Sequence, residues 1–248
     1  AAKLKVDPMS DKYPSMSPYN YCANNPMILV DPNGEEIWIT GEDGGSTLYT
    51  PGMEYSGDDE YTINTVCSLN KLSDGTSGNA TSMVTELSGS ENKFYIESGE
   101  TNTFDPGESA YAMKDPCSTE NDAYLANAGS GGTISWNSKG TLQMTSEGMQ
   151  IDPTMDLAHE LAHGLDANQG LLIDGGTTTT DNVITAIGLS EYRACYQANL
   201  IRSEMGKPFQ TRYGGSYSSD GSNYKHESGG VDLVNKGGLI LPQHFIRR

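Results

Sequence analysis

Residues 152–170 constrain the chain more than any other stretch, because they admit one local structure: a helix with one chemically loaded side. Asp152 can cap an N-terminus, Pro153 suits the first helical position, and Asp156 adds negative charge near the positive end of the helix. Leu157, Leu161 and Leu165 recur every four residues as a core stripe, and Asn168 with Gly170 supplies the stop. His159 and His163 stand at i and i+4, so both imidazoles leave the helix on one side, about one turn apart. Such a pair can reach one zinc ion through nitrogens at about 2.0–2.1 Å each. Glu160, one residue round, falls beside the metal's open position, where a carboxylate activates water. The chain has four histidines in 248 residues, and two of them fall in this pentapeptide. A helix that carries them by chance is the weaker explanation.

Catalytic zinc usually takes three protein ligands and keeps a fourth position for water. Two carboxylates compete for the third place. Asp166 lies on the face of the two histidines, but its short side chain must reach back about a full turn against the N-terminal lean of helical side chains. It fits better as a partner that orients His163. Glu191 belongs to a following helix that ends at Gly206-Lys207-Pro208 and shares a stripe with Ala194, Cys195, Ala198, Ile201 and Met205. An inward-facing carboxylate is rare unless paired or metal-bound. Glu191 is therefore the expected third ligand and Asp166 the alternative, with His226 and His244 behind them. Ser190 is the expected cap of that helix, and without a metal Glu191 reads as a favourable first-turn charge.

Charge narrows the partners. Against 15 basic residues stand 33 acidic ones, a formal net charge of −18. Such a surface repels phosphate backbones and anionic headgroups, so neither nucleic acid nor membrane is expected as a partner. The longest apolar runs (26–30 and 238–242) are far too short to span a bilayer. No apolar region of a signal peptide opens the chain, so any export signal is expected upstream, on a larger secreted or exported polypeptide. Cys22, Cys67, Cys117 and Cys195 lie far apart without a paired spacing, which argues for free thiols, with one structural bridge as the alternative, and against a cysteine-built zinc site.

Along the chain, residues 1–36 are rich in proline and Asx turns, and strands are expected at 37–40, 93–97 and 133–137. Helices are expected at 61–72 and 81–87, a mostly irregular stretch at 105–132, and a final strand near 238–241. The first segment carries Tyr19-Asn20-Tyr21-Cys22-Ala23-Asn24-Asn25-Pro26 and Asp31-Pro32-Asn33-Gly34. It resembles the end of the core domain of RHS-repeat proteins, bacterial shells that enclose C-terminal toxins. The resemblance implies a boundary after Gly34, an upstream RHS shell, an immunity protein as a further partner, and self-cleavage aspartates at Asp7 and Asp31.

A second resemblance rests on His159-Glu160-Leu161-Ala162-His163-Gly164 and Ser190-Glu191-Tyr192-Arg193-Ala194. It continues through Asn199-Leu200-Ile201-Arg202 and Gly206-Lys207-Pro208 to Arg212-Tyr213. These segments are similar to bacterial effector metallopeptidases and their relatives at the C-termini of RHS proteins. The chain departs from that pattern at Ala198-Asn199, where the family has Glu-Asn. The resemblance implies a zincin architecture with Glu191 as ligand.

The expected fold is therefore α+β, a zincin-like metallopeptidase with a small mixed or antiparallel sheet packed on the metal helix and a following helix. The domain would span 37–248 behind the RHS tail at 1–36. Zn2+ held by His159, His163 and Glu191 would serve hydrolysis of a protein or peptide substrate, with Glu160 as proton acceptor and donor. Tyr213, or Arg212 less readily, is the candidate donor to the oxyanion. The strand at 133–137 is expected to offer an edge to substrate. A zinc-binding module without turnover, or an adhesive RHS tip, is the alternative.

Overall fold

In a computed structural model, the chain is described over residues 36–106, 111–114, 124–173 and 188–213, with short pieces at 216–217, 224–225, 231–235, 238–239 and 246–247. The expectations for residues 1–35, Asp7 and Asp31 among them, and for Cys22, Cys117, His226, His244 and residues 240–241 lie outside the described residues.

Alternation builds the first strand. In β1 (Glu36–Thr40) Ile37 and Ile39 point inward while Trp38 points out. It pairs antiparallel with β2 (Ser46–Tyr49) and parallel with β3 (Lys93–Ser98). Parallel neighbours need a long crossover, and α1 (Glu60–Ser73) and α2 (Gly78–Ser88) supply it. The Asp59 carboxylate accepts the Thr62 N–H at 2.7 Å to start α1, and the Ser77 hydroxyl accepts that of Ala80 at 3.0 Å to start α2.

Beyond β3 come β4 (Thr103–Asp105), β5 (Met113–Lys114), β6 (Tyr124–Leu125) and β7 (Gly132–Trp136). They are followed by the hairpin of β8 (Leu142–Thr145) and β9 (Gly148–Ile151), then α3 (Pro153–Asn168) and α4 (Leu189–Glu204). The main sheet is mixed, in the order β2-β1-β3-β7-β4, with β1, β3 and β7 parallel and both edges antiparallel. The class is thus α+β, with four helices among the described residues. One expectation is corrected here. β7 pairs with β3 on one side and β4 on the other, so it has no free edge, and among the described residues the edge on that side of the sheet is β4.

The core gathers Ile37, Ile39, Phe94, Ile96, Ile134 and Trp136 from the sheet against Leu69, Leu72, Met83, Leu87, Leu157 and Leu161 from α1–α3. Each such fully buried side chain contributes roughly 1.5–3 kcal/mol from removal of apolar surface. Leu165, the last of the expected leucine stripe, is only partly buried against this cluster. The Trp136 indole donates to the Pro153 carbonyl at 3.0 Å, fixing the start of α3 over the end of β7.

Candidate active site

The sequence from Asp152 to Gly170 folds as its residues dictate. The Asp152 carboxylate accepts the Met155 N–H at 3.3 Å and pairs with Lys207 at 2.5 Å, so the N-cap is held from two sides. At the other end Gly170 turns left-handed, with φ 69°. Between these limits α3 is buried nearly all round: the leucines face the sheet, while His159, Glu160 and His163 are only 8%, 5% and 5% exposed. Ionisable side chains buried this deeply on a helix require partners or a ligand.

The partners come from α4. The His159 and His163 Nε2 atoms lie 3.3 Å apart. Glu191 straddles them, with Oε2 3.2 Å from His159 and Oε1 3.3 Å from His163. These are the distances between ligand atoms of a tetrahedral ion: bonds of about 2.0–2.1 Å subtend edges of about 3.3 Å. Two imidazole nitrogens and one carboxylate oxygen are also a donor set that zinc accepts. His159, His163 and Glu191 form the one such group among the described residues. Asp166 stands apart from it, its carboxylate 2.6 Å from the Arg193 guanidinium.

Electrostatics follow from this packing. Burial opposes ionisation of Glu191, yet bonds from both imidazoles outweigh it and hold the carboxyl far below the usual range. Burial likewise opposes a charged His159, but Cys195, Glu191 and Glu160 around it raise its pKa well above the ordinary value. Glu160 is pushed up, chiefly by burial, against the pull of His159 and His163. A carboxylate so desolvated is a stronger base than one in water.

Tyr213 stacks on His159, ring centroids 5.4 Å apart and planes 12° from parallel. Burial and then the neighbouring Glu191 carboxylate raise its phenol pKa, so it stays protonated at neutral pH. Its position depends on Asn199, fully buried on α4, which accepts the Gln210 N–H at 2.7 Å and donates to the Gln210 carbonyl at 2.9 Å. Those two bonds fix the chain three residues before Tyr213. Arg212 instead pairs with Asp232 at 2.9 Å.

One local expectation differs, and another residue gains a second role. Ser190 does not cap α4. Its hydroxyl donates to the Ile173 carbonyl and accepts the Ile173 N–H, at 2.9 and 3.0 Å, while Gly188 with φ 78° turns the chain into the helix. The hydroxyl thereby ties the start of α4 to the chain leaving α3. Asp156 stands in the first turn of α3 as expected, and it does more than face the positive end of the helix. It is 3% exposed and accepts the Thr141 N–H at 2.6 Å, the Thr141 hydroxyl at 2.9 Å and the Gln143 amide. The oxygen of the same Gln143 amide accepts from the buried Arg202 of α4. Sequence reasoning missed this chain of contacts, because its members are polar residues spaced over 62 positions with no periodic pattern. The two cysteines within the described residues, Cys67 and Cys195, are free, the second fully buried.

Two cavities, about 240 Å³ and 410 Å³, open on the site, and Asn102, Glu160 and Tyr213 line both. A peptide lying along β4 would cross the junction.

No curated protein and no solved structure matches the chain. A family model does: Peptidase_M91, described as effector protein, matches residues 50–213, a span containing α1–α4, the main sheet from β3 onward, and every residue of the site. With more than half of the 248 residues matched, the chain belongs to this family of effector proteins and is an effector peptidase.

Proposed function

We propose that the protein is a zinc-dependent endopeptidase and the toxin or effector cargo of an RHS-type polypeptide. The observation that carries the metal reading is the cluster of donor atoms on His159, His163 and Glu191, with the imidazole Nε2 atoms 3.3 Å apart and each 3.2–3.3 Å from one oxygen of the Glu191 carboxylate, beside the buried Glu160. Zinc held there would act as a Lewis acid, lowering the pKa of water toward about 7 and polarising the scissile carbonyl.

The chain's own groups supply the rest. Glu160 takes a proton from the attacking water and delivers it to the leaving amine, a role its burial favours. The protonated Tyr213 hydroxyl donates to the oxygen that gains charge. The outer edge of β4, unpaired among the described residues, takes an extended substrate as an added strand, which brings its backbone across Glu160. Asp166 with Arg193 braces α3 against α4 and so holds the two histidines opposite Glu191. The arrangement fits the gluzincin division of labour, with two ligands from one helix and the third from the next.

The RHS reading rests on Tyr19–Pro26 and Asp31–Gly34, with an upstream shell and an immunity protein as the partners it entails and export as part of the longer polypeptide. Metal analysis and proteolysis assays on one pair of proteins test the enzymatic proposal. Wild type should carry one zinc per chain and cut a denatured protein. Glu160→Gln should keep the zinc and lose about 10²–10⁴ in rate. Undiminished cleavage by that variant refutes the assignment of the base, and zinc without any turnover in wild type indicates a silent binding module.

A further inference from the structure

The two cavities that meet at the site differ in chemistry. The larger runs from Glu160 and His163 to an apolar wall of Phe104, Leu172, Ile173 and Leu189. The smaller runs from His159 and Glu160 past Thr141 and Gln143 to Asp156. Arg212 also lines the smaller one, but its charge is met by Asp232, and Arg202 binds Gln143 without reaching the cavity. Asp156 and Glu160 are the carboxylates that remain. Asp156 accepts three hydrogen bonds, and a carboxylate has about four lone-pair sites, so one acceptor position is left.

β4 sets the direction of reading. Asn102, just before its first residue, lines both cavities, Thr101 before that borders the smaller one, and Phe104 and Pro106 further on border the larger. A strand added to this edge is more stable antiparallel than parallel. An antiparallel peptide enters over the apolar cavity and leaves over the acidic one. Residues before the scissile bond therefore meet Leu172, Ile173 and Leu189, and the residue after it meets Asp156.

We propose that the site cleaves between a large apolar residue and a following Lys or Arg, with Asp156 as the determinant of the second preference. The proposal rests on the peptidase reading above and extends it to a substrate class. The acidic surface of the whole chain, net charge −18, would draw the same basic segments toward the cleft.

The test is a peptide library digested by the zinc-loaded wild-type protein, with cut sites mapped by mass spectrometry and kcat/KM measured on matched pairs. Phe or Leu before the bond should exceed Ala there by about tenfold or more, and Lys or Arg after it should exceed norleucine by a similar factor. Asp156→Asn should reduce the Lys-to-norleucine ratio about tenfold, and Leu189→Trp should reduce the Phe-to-Ala ratio. Should Asp156→Asn fail to fold, the wild-type profile alone decides. Cuts without preference, or with the apolar residue after the bond, overturn the proposal and leave the peptidase reading intact. A zinc-loaded protein that cuts no peptide sinks both.

Discussion

Replacing Glu191 by Ala should strip the metal from the protein, and with it a measurable share of stability. In the folded chain the carboxylate bridges two imidazole nitrogens that are 3.3 Å apart, one oxygen 3.2 Å from His159 and the other 3.3 Å from His163, so the three candidate ligands are already gathered within reach of one ion. An ion that binds only the folded state stabilises it by RT ln(1 + [L]/Kd), about 2.7 kcal/mol at a hundredfold excess over Kd. For a domain of this size each kcal/mol moves Tm by about 2–4 °C, so zinc should raise the wild-type Tm by about 5–11 °C. Perturbing groups outside the ligand set costs about 10–100-fold in affinity, and losing a ligand should cost more, so at the same zinc concentration the Glu191→Ala shift should nearly vanish. Asp166→Ala serves as the control. It breaks the 2.6 Å pair with Arg193 and should lower Tm with and without metal, yet leave most of the zinc-induced increment. Differential scanning calorimetry in EDTA and in buffered zinc reads both variants. A full zinc shift in Glu191→Ala, or its loss only in Asp166→Ala, would refute the ligand set.

Without metal, stability should depend on pH in a defined sense. The raised pKa of His159 makes its contribution complete below about pH 6.5 and lost as pH rises through the folded value. The depressed Glu191 contributes above its ordinary carboxylate pKa and loses that share only in strong acid. Tm in EDTA should therefore fall from about pH 6.5 upward, and a Tm that rises across that window contradicts the arrangement. Tyr213→Phe removes the hydroxyl and keeps the ring on His159, so kcat should fall about 10²–10³-fold with zinc content unchanged; an unchanged kcat excludes Tyr213 as oxyanion donor. Gly170→Ala puts a Cβ 2.2 Å from the Asn127 carbonyl oxygen at φ +69°. Urea unfolding should show a loss of about 1–3 kcal/mol, and a neutral result would mean that this turn relaxes freely.

What the sequence determined by itself is local. Helical periodicity alone puts His159 and His163 on one side, Asp152-Pro153 starts the helix, and Gly170 ends it, because each effect acts within a turn or two of chain. β1, β3 and β7 were legible for the same reason, as period-two or β-branched runs. β4 was not: three residues carry no periodic signal, and their edge position depends on β7 pairing with them from 28 to 32 residues away. Which carboxylate faces the two imidazoles was likewise a tertiary matter. Asp166 and Glu191 were both sterically conceivable from sequence, and the packing of α4 on α3 gave Asp166 to Arg193 and brought Glu191, 32 residues from His159, against the histidines. Asp156 makes the point most sharply, since the same residue at a helix start is a solvated charge on a bare surface and a buried acceptor once the β8–β9 hairpin closes over it. Short-range sterics fix the helix and the spacing of its donors; only long-range packing decides what those donors meet.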